Sequence, residues 1–303
     1  MSDQLIAGNR VKHATRTDWG LGEVVEGEQD GMVTIFFEDV GLKKFNLSVA
    51  QFLRVDGEEA VSDYLTALVK HYRHLVTSGL AARSGATTFQ KAVENFRSHF
   101  PMGFHDPTYL TGQRSERDYK MRAHEMLIET LGPSVLPQLL VDQKYKEICD
   151  RAKAVINKTN LVNQYEKIWL SNGLAPADAQ ESFARSLGMQ LYGDQPLQVR
   201  FEQFASMLYK ISAAKWPIAT YFLFLSDPGA QVFVKPEVTK SAAEVLGIDI
   251  NYKPELNWLT YSQVLRLAEA IRLKLIKEGQ ADLIPRDMVD VQSFIWVTAP
   301  SYC

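Results

Sequence analysis

Cysteine is scarce in this sequence, and long apolar runs are absent from it. The two cysteines among 303 residues, Cys149 and Cys303, lie far apart, which argues against a disulfide framework or a metal cluster and favours a reducing compartment. The longest apolar run, near residues 218–225, is too short to span a bilayer. The first ten residues lack a basic segment followed by an apolar stretch, so no signal peptide is expected. Together these absences predict a cytoplasmic protein with no membrane partner.

Several sequence signatures of catalysis are also missing. The chain has no GxxxxGK[ST] phosphate loop and no GxGxxG after a predicted strand. It has no HExxH, no CxxC pair, no zinc-deaminase signature and no GxSxG elbow. Metal, nucleotide and serine-hydrolase chemistries are therefore weakly supported, and we predict neither a metal nor a cofactor.

A large charge of one sign is lacking too, because 33 Lys and Arg nearly balance 36 Asp and Glu for a net charge of −3. The charge is unevenly distributed, however. Residues 64–124 carry nine Lys and Arg, four Asp and Glu, and five of the six histidines. A local basic region on a nearly neutral protein is typical of a phosphate-binding face, although a solvated helix surface has the same composition.

Short β-rich segments punctuated by Gly and Asp occupy about the first 55 residues. We predict strands at residues 9–13, 23–27, 31–38, 42–46 and 52–55. The triplet QDG at residues 29–31 suits a tight hairpin turn, because glycine tolerates positive φ. This pattern predicts a small SH3/Tudor-like β-barrel over residues 1–56.

From about residue 58 the apolar period becomes that of a helix. A first helix is predicted by the stripe Val61, Leu65, Leu68, Tyr72, Leu75 and Val76. SERD at residues 115–118 has the spacing of a capping box and predicts a helix that ends at Leu131. Further helices are predicted at residues 87–100, 143–158, 160–172, 177–191, 197–211, 217–225, 236–246, 260–278 and 285–297. Pro217, Pro236 and Pro285 each suit the first turn of one of these helices. The helices together predict a large all-α domain over residues 57–303. With the N-terminal barrel, this domain gives an α+β fold class.

The N-terminal segment resembles a known module. RVKH at residues 10–13, WGLGEVV at 19–25 and FEDVGLKKF at 37–45 are similar to the Tudor-like domain appended to bacterial DNA-repair helicases. The resemblance covers residues 8–55 and implies docking on RNA polymerase or another repair protein. Plausible contact residues are Arg16, Trp19, Lys43 and Lys44, although a tryptophan in a small barrel is commonly a core residue.

Residues 201–247 resemble the core of the helix-hairpin-helix DNA glycosylases. They read as a helix, a short hairpin, a buried helix, a loop, and an extended piece opening a helix that ends in Leu-Gly. FVKPEV at residues 233–238 and AAEVLG at 242–247 follow the family pattern, roughly PVDTHV and then RLG. The resemblance implies that hairpin amides hold a DNA phosphate.

The chain departs from that family at two places. The family's Gly-x-Gly turn is replaced by AAKWP at residues 213–217, and its essential Asp falls on Lys235, with Glu237 two places on. A carboxylate would stabilise the positive charge that develops on the sugar during base excision, whereas a lysine amine can attack the sugar and form a Schiff base. The candidate catalytic residues are Glu237, Lys235, Asp118, Glu116 and Lys120.

The loop at residues 104–109 and the helix start at 116–120 gather polar, aromatic and charged side chains near a helix N-terminus, where anions bind. Tyrosines there could stack on a base. The candidate DNA- and base-binding residues are Asp106, Tyr109, Tyr119, Arg117, Lys215 and Trp216. Each also has a purely structural interpretation, as a cap, a turn former or an exposed first-turn residue.

These patterns predict a DNA glycosylase that excises a modified base and leaves an abasic site. The departures favour a bulky target, such as a hypermodified phage cytosine, and both DNA repair and antiviral defence are compatible roles. The alternative is a non-catalytic adaptor that binds DNA or RNA polymerase, since the family's Asp is missing. DNA is the expected partner in both cases.

Overall fold

The computed structural model describes residues 4–38, 41–62, 89–112 and 115–299, together with Leu65, Thr66 and Val69. These residues form five β-strands and twelve α-helices, which confirms the α+β class. Most of the helix predicted over the stripe at residues 61–76, and part of the basic region at 64–124, fall outside the described residues.

The N-terminal segment forms one antiparallel sheet in the order β4-β3-β2-β1-β5. This arrangement fits the predicted SH3/Tudor-like fold. The strands are β1 Arg10–His13, β2 Gly22–Gln29, β3 Met32–Phe37, β4 Gly41–Asn46 and β5 Phe52–Val55. Residues 30 and 31 form the predicted turn between β2 and β3, with φ of 51° and 72°. Both residues adopt the left-handed region that two-residue hairpins require, which explains the Asp-Gly pair.

The barrel has its own small core and an aromatic layer beside it. The core consists of Val11, Val24, Val33, Ile35 and Phe37. Trp19 lies in a 3₁₀ turn and packs edge-on against other rings of the layer, with centroids 4.9 Å from that of His13 and 5.5 Å from that of Phe37.

After the helical residues Leu65, Thr66 and Val69, the described helical part runs from α1 to α12, which packs back against α1. The helices are α1 Phe89–His99, α2 Pro107–Leu110, α3 Asp118–Leu131, α4 Leu136–Val141, α5 Tyr145–Asn157, α6 Gln164–Gly173, α7 Ala177–Tyr192, α8 Leu197–Lys210, α9 Trp216–Ser226, α10 Pro236–Val245, α11 Trp258–Lys277 and α12 Met288–Val297.

Helix α9 lies at the centre of the helical part. Residues 216–225 are all buried, and α3, α6, α7 and α8 surround the helix. A helix that is apolar on every side belongs in a protein interior. Its polar groups are satisfied inside the core: the Tyr221 hydroxyl donates to the Val155 carbonyl at 2.8 Å, and the Thr220 hydroxyl donates to the Trp216 carbonyl at 2.8 Å. Helix α9 therefore fixes the positions of the connections at both of its ends.

The barrel packs firmly on the helical part. Leu21, Phe36 and Val55 belong to the large core that the helices share. Buried Glu38 accepts hydrogen bonds from the Ser62 hydroxyl at 2.6 Å and from the Leu21 amide at 3.2 Å. Its carboxylate also pairs with Lys277 of α11. The barrel is thus held by apolar contacts and by a buried carboxylate.

We expect Glu38→Ala to lower the free energy of unfolding by about 1–3 kcal/mol, because it leaves buried donors unsatisfied. Chemical denaturation measures the change. Glu59→Ala is the matched control, since Glu59 forms an exposed ion pair with Lys12 at 3.3 Å and should cost less than about 1 kcal/mol. Equal losses in the two variants would contradict a docking role for Glu38.

Some local predictions are wrong. Ser115 does not cap a helix; its hydroxyl donates to the Gly112 carbonyl at 3.0 Å, and α3 begins at Asp118. A capping box does exist elsewhere, between Asn163 and Glu166 at the start of α6. Pro217 and Pro236 lie in first helical turns as predicted, whereas α12 begins three residues after Pro285 because Asp287 caps it.

Candidate functional site

Helices α8 and α9 are joined by a tight turn of five residues, 211–215, which we call the hairpin. The turn closes without glycine: Ser212 has φ of 57°, and the Ala213 amide donates to the Leu208 carbonyl at 2.9 Å. Left-handed backbone is uncommon for a residue other than glycine, so surrounding contacts must hold the turn in this conformation. One contact comes from α6, where a Cβ at Gly173 would overlap the Ile211 carbonyl oxygen.

The hairpin leaves backbone donors available. Within the described part of the chain no acceptor pairs with the Ala214 amide. In the first turn of α9 Pro217 has no N–H, so only the amides of Trp216 and Ile218 lack partners within their own helix. Such groups can bind an anion at the helix N-terminus, where the dipole is favourable.

Lys235 lies at the N-cap position of α10. The segment before it is buried and fixed on α9, because the Val234 amide donates to the Thr220 hydroxyl at 3.0 Å. The half-buried Lys235 ammonium donates to the Leu161 carbonyl at 3.4 Å. A helix N-terminus favours anions, so a lysine at this position gains nothing from the dipole.

A second lysine packs on the loop that Lys235 contacts. Lys167 donates to the Thr159 carbonyl at 3.0 Å, two residues from the carbonyl that Lys235 contacts. Burial lowers the pKa of Lys167. The Thr159 side chain is itself held at 2.9 Å from the Tyr221 hydroxyl of α9. The loop therefore connects the two lysines to the central helix.

Four lysines on the hairpin, or in contact with the α5–α6 loop beside it, form what we call the lysine cluster. Lys167 and Lys235 donate to the loop at residues 159–161, Lys215 lies over Trp169, and Lys210 lines a groove with Trp169. None of them has a carboxylate oxygen within 4.0 Å in the described ranges. Elsewhere in the helical part, cations commonly do pair, as Lys146 with Asp150 at 2.6 Å and Arg185 with Glu181 at 2.8 Å. The lysines of the cluster therefore lie beside an available backbone donor without close ion pairs of this kind, although Asp178 lines the same groove as Lys210.

Two predicted DNA-binding residues belong to this region. Lys215 is exposed, and its ammonium lies 4.6 Å from the centroid of the Trp169 ring. Trp216 is buried in the first turn of α9 and donates from Nε1 to the Lys253 carbonyl at 2.9 Å. Lys215 can thus contact a ligand, whereas Trp216 anchors the hairpin.

The predicted cluster near the start of α3 is a buried network that fastens α12. The Tyr109 hydroxyl donates to Asp290 Oδ1 at 2.6 Å, and Arg117 binds both Asp290 at 2.8 Å and Asp287 at 2.6 Å. Lys120 is fully buried between Glu116 at 3.0 Å and the Ser293 hydroxyl at 2.9 Å.

The pKa shifts of this network agree with a structural role. Burial raises the pKa of Tyr109. Burial also lowers the pKa of Lys120, against the effect of Glu116. Burial alone would raise the pKa of Asp290. The hydrogen bond from Arg286 and the positive charge of Arg117 outweigh burial, so the pKa is lowered. Buried charges that satisfy one another in this way hold elements together rather than meet a ligand.

The other predicted residues of the helical part have local partners. Glu237 is 83% exposed and pairs with Lys240 at 2.7 Å, and Asp118 pairs with Arg122 at 2.8 Å. Asp106 caps α2; hydrogen bonds from Thr108 lower its pKa most. Half-buried Tyr119 directs its hydroxyl at Glu116, 3.4 Å away. None of these side chains belongs to the lysine cluster.

The barrel residues proposed for partner binding lie on two elements. The Arg16 guanidinium lies 4.9 Å above the half-buried Trp19 ring. Lys43 and the exposed Lys44 lie on β4, which pairs with β3 alone among the described strands. Lysines on an edge strand also discourage unwanted strand pairing, so their placement has a structural explanation as well.

Sequence reasoning missed Tyr165, Lys167 and Trp169 of α6 and Lys210 of α8. Their signal is weak, because each is an ordinary residue in an amphipathic helix. The structure brings them to the hairpin. The groove beside them has a volume of about 600 Å³ and is lined by Trp169, Asn172, Lys210, Ile211 and Ser212 among others.

Comparison with known proteins identifies a relationship for the barrel alone. A family described as "Protein of unknown function (DUF3553)" matches residues 5–55. No curated protein and no solved structure matches the chain. Within the described residues, no helix is long and apolar enough to cross a membrane, and no three His, Cys, Asp or Glu side chains are grouped as metal ligands.

Proposed function

We propose that the protein is a DNA glycosylase in which Lys235 is the nucleophile. The observation that carries the proposal is the placement of Lys235 at the N-cap of α10, half-buried and without a carboxylate partner among the described residues. The extended segment before α10 is fixed on α9, the helix that follows the hairpin. A lysine held in this way can present its amine to a sugar delivered by the hairpin.

The reaction begins when the target nucleotide is rotated out of its stack. The Lys235 ammonium first gives up a proton to water, and the amine then attacks C1′ of the sugar as the C1′–N bond to the base breaks. The base leaves with the bonding electron pair. The base takes up one proton and the amine loses one. Opening of the sugar ring then breaks the C1′–O4′ bond: the nitrogen lone pair forms the C1′=N bond, and O4′ takes up a proton from water. The product is a protonated Schiff base, which water hydrolyses to an abasic site and the free lysine.

The hairpin supplies the phosphate contact. Lys210 and Lys215 flank the turn, and the Ala214 amide is an available donor. Contacts of this kind position a nucleic-acid backbone without reading its sequence. They would hold the strand while the amine of Lys235 reacts.

The target belongs, in this proposal, to the modified bases. The glycine-free turn and the lysine in place of the family's Asp both set the chain apart from the pattern it resembles. A hypermodified cytosine of phage DNA is the substrate that we favour. Full activity on uracil or on alkylated bases would contradict this choice.

The test is incubation with DNAs that are unmodified, contain uracil or alkylated bases, or come from a phage with hypermodified cytosine, followed by alkali. Strand breaks in one modified DNA, lost in Lys235→Ala and retained in Glu237→Gln, support the proposal. Glu237→Gln is a matched control, because Glu237 lies on the same helix but is exposed. Breaks in no DNA, with DNA or RNA-polymerase binding retained, would support the adaptor instead.

A further inference from the structure

Helix α6 carries apolar side chains on its solvent face as well as on its buried face. Leu170 packs into the core. On the opposite side Tyr165, Ile168 and Trp169 are 73%, 45% and 43% exposed. Single exposed apolar residues are ordinary, but three at spacings of three and four residues form one continuous face.

Lys210 and Lys215 of the lysine cluster lie beside this face. The Lys215 ammonium lies 4.6 Å from the Trp169 ring centroid, whereas Lys167, two residues before Trp169, lies on another side of α6. Trp169 and Lys210 both line the groove of about 600 Å³ that reaches the hairpin turn. Aromatic rings and unpaired cations are therefore combined on one surface.

We infer that the Tyr165–Trp169 face of α6 is a stacking platform for unpaired bases of single-stranded DNA. Tyr165 and Trp169 are four residues apart, so their Cβ atoms lie about 5–6 Å from each other. Each ring can stack on a base, while the lysines follow the phosphates. The inference rests on the proposed function for its choice of DNA.

Charge argues against a second copy of the chain as the occupant. A two-fold dimer places the same patch of both subunits face to face. The lysine cluster would then oppose itself, and like charges across an interface are unfavourable. An unpaired nucleic-acid strand fits the surface, because its phosphates are negatively charged and its bases expose flat apolar rings.

A strand preference follows from this geometry. Bases inside a duplex present only their edges, so the exposed rings cannot stack on them without unpairing. Single-stranded DNA should therefore bind through both rings and lysines, and duplex DNA mainly through lysines.

The test is fluorescence anisotropy at one fixed salt concentration, with a labelled 12-nucleotide thymidine strand and a duplex. Replacing Trp169 with alanine should weaken single-strand binding by roughly 5- to 150-fold and duplex binding by less than about twofold. Trp169→Phe should keep most of the affinity, because phenylalanine still stacks. Val141→Ala, which removes exposed apolar surface on α4, should change neither affinity.

Equal losses for the single strand and the duplex, or no loss at all, would overturn the inference. So would sedimentation showing that the wild type is a dimer which Trp169→Ala dissociates. These variants keep Lys235, so the binding measurements can be interpreted independently of the base-excision assay. If Trp169→Ala weakens single-strand binding but no base is excised, the platform is supported and the glycosylase is contradicted. If bases are excised but Trp169→Ala leaves binding unchanged, the glycosylase is supported and the platform is contradicted.

Discussion

Lys235→Ala should abolish the borohydride-dependent cross-link between the protein and DNA that contains an abasic site. The Schiff base between the amine and C1′ is an iminium, and borohydride reduces it to a stable amine. The wild-type protein should therefore yield a covalent complex in a denaturing gel. Lys235→Ala lacks the amine that attacks C1′, so the yield of covalent complex should fall by more than about 100-fold.

Two controls separate chemistry from binding. Lys235→Arg keeps the positive charge but has a guanidinium that stays protonated, so it should bind DNA and form no cross-link. Lys240→Ala removes a lysine of the same helix, one whose partner is the exposed Glu237, and should cross-link normally. Cross-linking of both Lys235 variants at the wild-type level would show that another amine reacts.

Asp290→Ala should lower the free energy of unfolding by about 3–5 kcal/mol, the range observed when one partner of a buried ion pair is removed. Asp290 is fully buried and accepts hydrogen bonds from Tyr109, Arg117 and Arg286. Its removal leaves buried donors and cations without their acceptor. Chemical denaturation followed by circular dichroism measures the change.

The control for Asp290→Ala is Asp150→Ala. Asp150 pairs with Lys146 at 2.6 Å and with Lys153 at 2.8 Å, but the pairs lie at the surface. Its loss should cost less than about 1 kcal/mol. Similar losses at the two positions would mean that the network around α12 contributes no more than a surface ion pair.

The contribution of Asp290 should also depend on pH. Its pKa in the folded protein is lowered, below an unfolded value of about 3.9. A group of this kind stabilises the fold above the unfolded pKa, and the contribution disappears as the pH falls through the folded pKa. The stability difference between the wild type and Asp290→Asn should therefore be constant near neutral pH and shrink below about pH 4. A difference that grows with acid would contradict this assignment.

The barrel was predictable because its determinants are local. Short β-rich segments punctuated by Gly and Asp located the five strands to within about two residues at their ends. The turn at residues 30 and 31 followed from the need for positive φ. Its packing against α11 was not predictable, because the contact between Glu38 and Lys277 joins residues far apart in sequence.

The helices were mostly predictable, but their partners were not. Helices α5 to α11 lie near their predicted positions, whereas the short α4 was missed. Asp290 is one example, because its partners Tyr109 and Arg117 lie more than 170 residues before it. Periodicity predicts that a helix forms, but it says little about which residues the helix packs against.

The candidate site was predictable in part. The order of elements at residues 201–247 indicated the hairpin and placed Lys235 before a helix, and the structure has both. The exposed face of α6 could not be predicted, since apolar residues on both sides of a helix do not reveal which side packs. Glu116 and Lys120 looked like site residues because polar clusters and buried networks have the same composition.

The most direct test of base excision is mass spectrometry of the small molecules released from phage DNA that contains a hypermodified cytosine. The wild-type protein should release the free modified base and leave one abasic site for each base released, and Lys235→Ala should release none. Intact DNA and no free base, from protein that still binds the strand, would contradict the glycosylase and leave a DNA-binding adaptor.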